Sequence, residues 1–251
     1  MPIYRGSSPI DAIRKGGQAV TAVYRGADKI FPLLPPIVQD GLAQWFYLSS
    51  NECWDGTSTT VTDLKGAANG ITVGVAPIAI NRGSARGMNF DSKTYYLDLL
   101  NNAITVPGTS EFSVEIVHRH NSGQLWRFDN RGNSRGFLFA KDQFTIFSIA
   151  DYSLSASQPS DIIYIETWVA SGTNLKRYIN GVKVDDINIS SSRTLSGSQN
   201  YFYGASHGSS GGFSAYYQGE LYDLKWYKNK ALTAAEVTQN YQAQKALYGL
   251  S

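Results

Sequence analysis

The sequence predicts an all-β protein: an antiparallel two-sheet sandwich preceded by a short β-repeat and closed by a C-terminal helix. Three observations lead there. Strand-favouring aromatics are abundant, with 16 Tyr and 11 Phe, and 24 Gly supply turns. From about residue 42 to 228, short strand-like runs follow one another between turn clusters with no helical periodicity between them. A capping pattern appears only near the end, at Thr233 to Glu236. Charged residues make up 17% of the chain, too few for a coiled coil or a highly charged disordered chain.

The first element is a repeat of period ten. Ile3-Tyr4-Arg5-Gly6 aligns with Ile13-Arg14-Lys15-Gly16 and with Val23-Tyr24-Arg25-Gly26, and Ile10, Val20 and Ile30 recur in phase. Each unit reads as a short strand, a glycine turn and a returning apolar residue. One such unit is too small to bury its own face. Residues 1–31 carry a formal charge of +3 and the remainder −1. The segment is expected to serve as an anchor or oligomerisation element, with Tyr4, Arg5, Ile10, Val20, Tyr24, Arg25 and Ile30 as its contact residues. The plainer alternative is a β-meander decorating the main domain. Pro32, Pro35 and Pro36 then stiffen a linker, giving expected divisions at 1–31, 32–41 and 42–251.

Within the sandwich, Phe112, Val114, Ile116 and His118 alternate as on a half-buried strand. Phe137 to Phe139 and Phe144 to Phe147 are candidate neighbours, and Tyr164 to Val169 is a further strand. Asn180-Gly181 between two strand patterns marks a hairpin, because both central residues of a type I′ turn take positive φ. Glu220 to Tyr227 is the last strand. Thr233 and Glu236 form a capping box, Leu232 and Val237 a hydrophobic staple, and Gly249 a stop, which predicts a helix over 233–248 with Val237, Tyr241 and Tyr248 on one face.

These stretches resemble the laminin-G-like jelly roll of the concanavalin A-like lectin/glucanase superfamily. The resemblance is carried by Tyr47-Leu48-Ser49-Ser50 through Asp63-Leu64-Lys65-Gly66 to Asn69-Gly70, and by Met88-Asn89-Phe90-Asp91 with Tyr95-Tyr96-Leu97. It continues in Arg177-Tyr178-Ile179-Asn180-Gly181-Val182 and in the closing run from Gly219 to Val237. It spans residues 44–251 and implies a jelly-roll sandwich, with function left to the site. The Tyr-Arg-Gly units ahead of it resemble structural proteins of tailed bacteriophages. That implies a virion protein, synthesised in the host cytoplasm and displayed on the particle surface as a capsid decoration, fibre or tail-associated module. Its partners would be other phage structural proteins, further copies of itself (a trimer among the options) and a host-surface glycan.

The chemistry was weighed residue by residue. Net charge is +2, which argues against a nucleic-acid partner. The N-terminus lacks the apolar run of a signal peptide, and no run is long enough for membrane insertion. Cys53 is the single cysteine, so no intrachain disulfide is expected. The Glu-x-Asp-x-x-Glu strand of the superfamily's glucanases is missing. Glu111 with Glu115, Glu220 with Asp223 (spaced for opposite faces) and Asp185-Asp186 read as solvated surface or turn carboxylates, so no enzyme is expected. His118 and His120 share a face, but as exposed polar surface rather than metal ligands. No cofactor is expected. Calcium, through Asp63 or Asp91 with backbone carbonyls, is the one ion the resemblance allows. Sugar binding would use aromatic faces beside polar groups. Trp54, Trp126, Trp168, Tyr216 and Tyr217 are the aromatics considered, with Trp168 and Trp226 assigned to the core. The chosen carbohydrate set is Trp126, Arg127, Asp129, Tyr216 and Tyr217.

Overall fold

The computed structural model divides into two compact units, Met1–Ile37 and Val38–Ser251. It describes residues 4–5, 8–9, 14–15, 18–19, 23–25, 28–31, 37–67, 69–74, 77–90, 96–99, 111–122, 126–129, 136–140, 143–146, 150–154, 159–188, 200–203, 206–207, 213–214 and 217–251.

The first unit turns the ten-residue sequence period into a ten-residue structural period. Strands β1 (Tyr4–Arg5) and β2 (Ser8–Pro9) pair, as do β3 (Arg14–Lys15) with β4 (Gln18–Ala19) and β5 (Val23–Arg25) with β6 (Asp28–Phe31). In each hairpin the basic residue before the glycine pairs across two intervening residues: Arg5 with Ser8, Lys15 with Gln18, Arg25 with Asp28. A two-residue connection beginning with glycine is what a tight hairpin turn asks for.

The second unit is a β-sandwich. Its strands are β7 (Leu42–Tyr47), β8 (Thr60–Val61), β9 (Gly70–Val73), β10 (Ile78–Arg82), β11 (Ala85–Asn89), β12 (Tyr96–Leu99), β13 (Phe112–Ser122), β14 (Trp126–Asp129), β15 (Gly136–Ala140), β16 (Gln143–Ile146), β17 (Ala150–Ser153), β18 (Ile163–Ser171), β19 (Asn174–Ile179), β20 (Val182–Asn188), β21 (Asn200–Tyr203), β22 (Ser206–His207), β23 (Phe213–Ser214) and β24 (Gln218–Lys228). One sheet runs β10-β11-β24-β13-β18-β19-β20, with β7 sharing β11's edge of β24; the other runs β17-β16-β15-β14-β21-β12-β9-β8. The pairings within both are antiparallel. The paired runs expected at Phe137–Phe139 and Phe144–Phe147 are β15 and β16, side by side.

The core follows from the period of two. Phe112, Val114 and Ile116 of β13, Trp168 of β18 and Leu221, Leu224 and Trp226 of β24 pack in the inter-sheet cluster with Phe46, Val61, Phe90 and Leu97. Each fully buried side chain of this size contributes roughly 1.5–3 kcal/mol. The intervening residues lie on the other face of the first sheet, where Val117, Ile165 and Tyr222 meet Tyr241 and Tyr248.

Tyr241 belongs to α1 (Ala234–Gln244), which has the expected capping box: the Glu236 amide donates to Thr233 Oγ1 at 3.2 Å and the Thr233 amide to Glu236 Oε2 at 2.8 Å. The helix is shorter than the sequence suggests, and Tyr248 lies beyond its last turn. The chain then closes on itself, Leu250 N donating to Lys245 O and Gly249 N to Ala246 O, with Gly249 at φ 68°. This is a Schellman-type stop one turn past the helix proper. The Asn180-Gly181 hairpin has the expected positive φ values, 50° and 78°. A Cβ on Gly181 would lie 3.2 Å from Tyr241, so the turn and the helix approach at a site made for glycine. Among the described residues no helix is long and apolar enough to cross a membrane.

Candidate functional site

The chosen carbohydrate residues fall mainly on β14, between β15 and β21 in the second sheet. Which side of that sheet is interior is fixed at its β8–β12 end. Val61, Thr72 and Leu97 are buried, whereas Thr60 is exposed and Ile71 is 37% exposed. Register then carries each side across the sheet. One row passes from Thr72 through Leu97 and Tyr203 to Trp126 and Phe139. The alternate row passes from Thr60 and Ile71 through Asp98 and Phe202 to Arg127. Asp129 alternates with Arg127 on the same side and pairs with Asn200.

By register, Trp126 shares a row with Leu97, Arg127 shares one with Ile71, and Asp129 lies in the row of Asn200. Tyr217 is a correction: it is fully buried, edge-on to Phe90 with ring centroids 5.7 Å apart, and its hydroxyl donates to Arg119 O at 2.6 Å. It has no face for a ligand. Trp54 is also core, its Nε1–H donating to Ser58 O at 2.8 Å. Trp168 and Trp226 are buried as expected. Tyr216 and Asp91 lie outside the described residues, as do Ile10 and Val20 of the anchor set. Tyr4 and Arg5 are on β1, Tyr24 and Arg25 on β5, and Ile30 on β6.

The carboxylates expected at the surface are, with the exception of Glu111 and Asp186, inside. Glu115, Glu220 and Asp223 are all at 0–1% exposure. A register shift explains the last two. Val117 pairs with Asp223 but His118 pairs with Leu221, leaving Tyr222 as the extra residue of a bulge. The bulge cancels the odd spacing, so Glu220 and Asp223 share the helix-covered face instead of opposing each other.

On that face every charge is accounted for. Glu115 Oε1 accepts from Gln244 Nε2 at 2.7 Å and pairs with Lys225 Nζ at 3.1 Å; its Oε2 accepts from Asn240 Nδ2 at 3.0 Å and Thr167 Oγ1 at 3.3 Å. A carboxylate has about four acceptor sites, and all are used. Lys225 Nζ also donates to Asp223 Oδ2 at 2.7 Å and Gln244 Oε1 at 2.6 Å, and Trp45 Nε1 donates to Asp223 Oδ1 at 3.0 Å. Asp223 is pushed up to about 6 by burial, against the pull of Lys225. Glu220 takes a bidentate grip from Arg82, at 2.7 and 2.6 Å, and a bond from the Tyr222 hydroxyl. Burial opposes its ionisation, but Arg82, Tyr222 and Arg119 together hold it below the usual glutamate range. These are arrangements for holding elements together, not for presenting an acid and a base to a substrate.

The inter-sheet face has its own buried charges. His118 and His120 are fully buried on the central strand β13, not exposed at an edge. His118 Nε2 lies 3.3 Å from Glu166, which accepts from Arg177 Nε at 2.8 Å; Arg177 reaches Asp185 at 3.2 Å and stacks over Trp168. Asp185, expected as turn chemistry, is thus a buried ion-pair partner, while Asp186 is exposed and pairs with Lys183. Among the described residues no group of three His, Cys, Asp or Glu side chains is placed to hold a metal. Asp63 is buried and accepts from three backbone amides, of Trp45, Lys65 and Ala67. Converging N–H dipoles suit a carboxylate and oppose a cation, so Asp63 is a poor calcium ligand.

No family model matches the sequence, and neither does any curated protein. Solved structures do match. Domain 4 of AbnA, a GH43 extracellular arabinanase from Geobacillus stearothermophilus solved in complex with arabinotriose, aligns with a TM-score of 0.64 at 13% identity, covering 80% of this chain and 98% of that one. The fold is a β-sandwich. Botulinum neurotoxin type C, a toxin whose cell entry is dependent upon interaction with two ganglioside molecules, aligns with a TM-score of 0.56 at 13% identity over 75% of this chain and 51% of that one. Trypanosoma rangeli sialidase aligns at 0.55 and 13% identity over 81% and 33%. The chain thus spans a whole arabinanase domain, but about half of the toxin chain and a third of the sialidase chain.

Proposed function

We propose that this chain is a surface module of a tailed-bacteriophage particle, attached through its N-terminal hairpins, whose β-sandwich binds host glycans without hydrolysing them. The observation that carries the glycan reading is the likeness of fold, over 98% of its length, to a domain solved in complex with arabinotriose. The non-catalytic reading is supported by Glu115, Glu220 and Asp223: each is buried and bonded to cations or amides, so none of these three is open to a sugar. The particle role rests on the three ten-residue hairpins, whose short strands gain stability only when something pairs with their edges. Shell or tail proteins, or copies of this chain around a rotation axis, would supply that pairing. An adhesion module working in host recognition is the neighbouring reading and shares the same sandwich.

The test is a chain lacking residues 1–34 beside the full chain. Loss of particle loading and self-association, with saccharide binding retained, supports the proposal. Unchanged loading moves the attachment surface to the sandwich and overturns the role given to the hairpins. Release of reducing sugar from bacterial envelope polysaccharide would overturn the non-enzymatic reading.

A further inference from the structure

The closed cluster under α1 holds a chemistry that ion pairing alone does not use, and it is independent of the glycan reading. We infer that Lys225 and Gln244 condense into an intramolecular amide cross-link joining β24 to α1, with Glu115 as the proton shuttle. Register builds the site. Trp45 of β7, Lys225 of β24, Glu115 of β13 and Thr167 of β18 are directly paired from strand to strand. Their side chains therefore stand about 5 Å apart on one face. Asn240 and Gln244, one turn apart on α1, close over that row. Lys225, Glu115, Asp223 and Gln244 are all at 0% exposure. Lys225 Nζ lies 2.6 Å from Gln244 Oε1, one bond from the carbon it would attack. The carboxamide can face only one way. Its Nε2 donates to Glu115 Oε1 at 2.7 Å and to Asn240 O at 2.9 Å, so both hydrogens are used and the oxygen is turned to the lysine.

Protons and bonds balance within the cluster. Asp223 Oδ2, 2.7 Å from Nζ, takes one proton from the lysine ammonium and frees its lone pair. Burial pushes Asp223 up to about 6 against the pull of Lys225, which suits a proton acceptor working near neutral pH. The amine attacks Gln244 Cδ and the new C–N bond forms. Glu115 Oε1 touches both ends of the exchange, Lys225 Nζ at 3.1 Å and Gln244 Nε2 at 2.7 Å. It takes the second proton from the attacking nitrogen and delivers it to the departing one. The original C–N bond breaks, and ammonia leaves, collecting the proton held on Asp223 to become ammonium. The balance needs no oxidant, reductant or further reactant. Proximity of this kind stands in for an amine concentration on the order of 10⁵ M or more. Exclusion of water keeps hydrolysis from competing. The bond closes residues 225–244 into a ring. It fastens α1, whose Asn240 also accepts from the Val38 amide at 2.8 Å, to β24.

The experiment measures the intact mass of the purified full chain after incubation at neutral pH, followed by a tryptic peptide map. The expected result is a mass lower than the sequence requires by one ammonia, and a branched peptide joining the segment with Lys225 to the segment with Gln244. Glu115→Gln keeps the size of the shuttle but not its basicity, and should slow the loss by about a hundredfold or more. Lys225→Arg keeps the cation and should hold its full mass. Melting curves identify any variant that fails to fold, in which case the parent's own mass and peptide map decide the matter. A full mass with the two segments separate would overturn the cross-link. Loss of water instead of ammonia, with Lys225 bonded to Asp223, would overturn Gln244 as the electrophile. Loss of ammonia mapped to Asn69-Gly70 or Asn180-Gly181 would mean backbone imide formation and would overturn the cross-link as well. Cross-linking at the parental rate in Glu115→Gln would overturn the shuttle.

Discussion

The first sheet carries acid–base partners in two settings, one closed over by a helix and one open to solvent. The first sheet places Glu115, Asp223 and Lys225 under α1, where Asn240 and Gln244 cover them and every polar atom of the carboxylates is bonded. The β19–β20 edge of the same sheet leaves Lys183 and Asp186 paired at the surface, their side chains 49% and 40% exposed. Acid and base side chains at alternate strand positions are therefore no guide to function by themselves. What separates a structural cluster from a surface pair is whether another element closes over them, because a buried charge must be fully partnered and an exposed one need not be.

The largest effect should come from opening the closed face. Lys225→Ala leaves Glu115 and Asp223 buried without their shared cation, and should cost about 3–5 kcal/mol in denaturant-induced unfolding. A loss below about 1 kcal/mol would mean that water reaches the cluster, and the contrast between the two settings would fail. The second effect is pH-dependent. Asp223 is raised to about 6 from an ordinary value of 3.8, so across that window the folded state holds more protons than the unfolded one. Stability should accordingly rise as pH falls from about 6 towards 4. Below that it should drop, as Glu220 and Glu236, both held below their usual range, take up protons. Asp223→Asn keeps an acceptor for Trp45 and should flatten the upper part of the profile. Thermal melts from pH 4 to 8 on both proteins check this, and a parallel pair of curves would contradict it. Smaller again is Thr233→Ala, which removes one half of the capping box and should cost about 1 kcal/mol. The smallest is Ile71→Ser, at a side chain 37% exposed, expected to stay within about 0.5 kcal/mol; a larger loss would mark that residue as covered.

Most of the fold was legible in the residues. The Asn180-Gly181 turn, the Thr233–Glu236 box and the apolar alternation of β13 each follow from local chemistry that tertiary contacts do not override. The ten-residue repeat likewise became three hairpins because its turns and strands are local. The site was less legible, for two reasons. Strand parity is visible only once register is known: Trp126, Arg127 and Asp129 look like a cluster in sequence, yet adjacent strand residues take opposite sides. Their cross-strand neighbours Phe202 and Asn200 come from β21, and nothing local ties them to β14. The second reason is the bulge at Tyr222. No glycine or proline marks it, and it reverses the sidedness of Glu220 relative to Asp223. Burial of Glu115 and His118 is not legible in sequence either, because their partners on α1 and β18 are distant along the chain.

The hairpins of the first unit are each completed within their own ten residues, every pairing closing across a two-residue connection. Length in this region is thus quantised. Duplication or loss of one decapeptide shifts the chain by a whole unit and leaves all remaining pairings in phase. An insertion of any other size breaks the rhythm. A segment built this way can be lengthened by gene duplication without redesign, as beads are added to a string, while the sandwich that follows keeps its sequence unchanged.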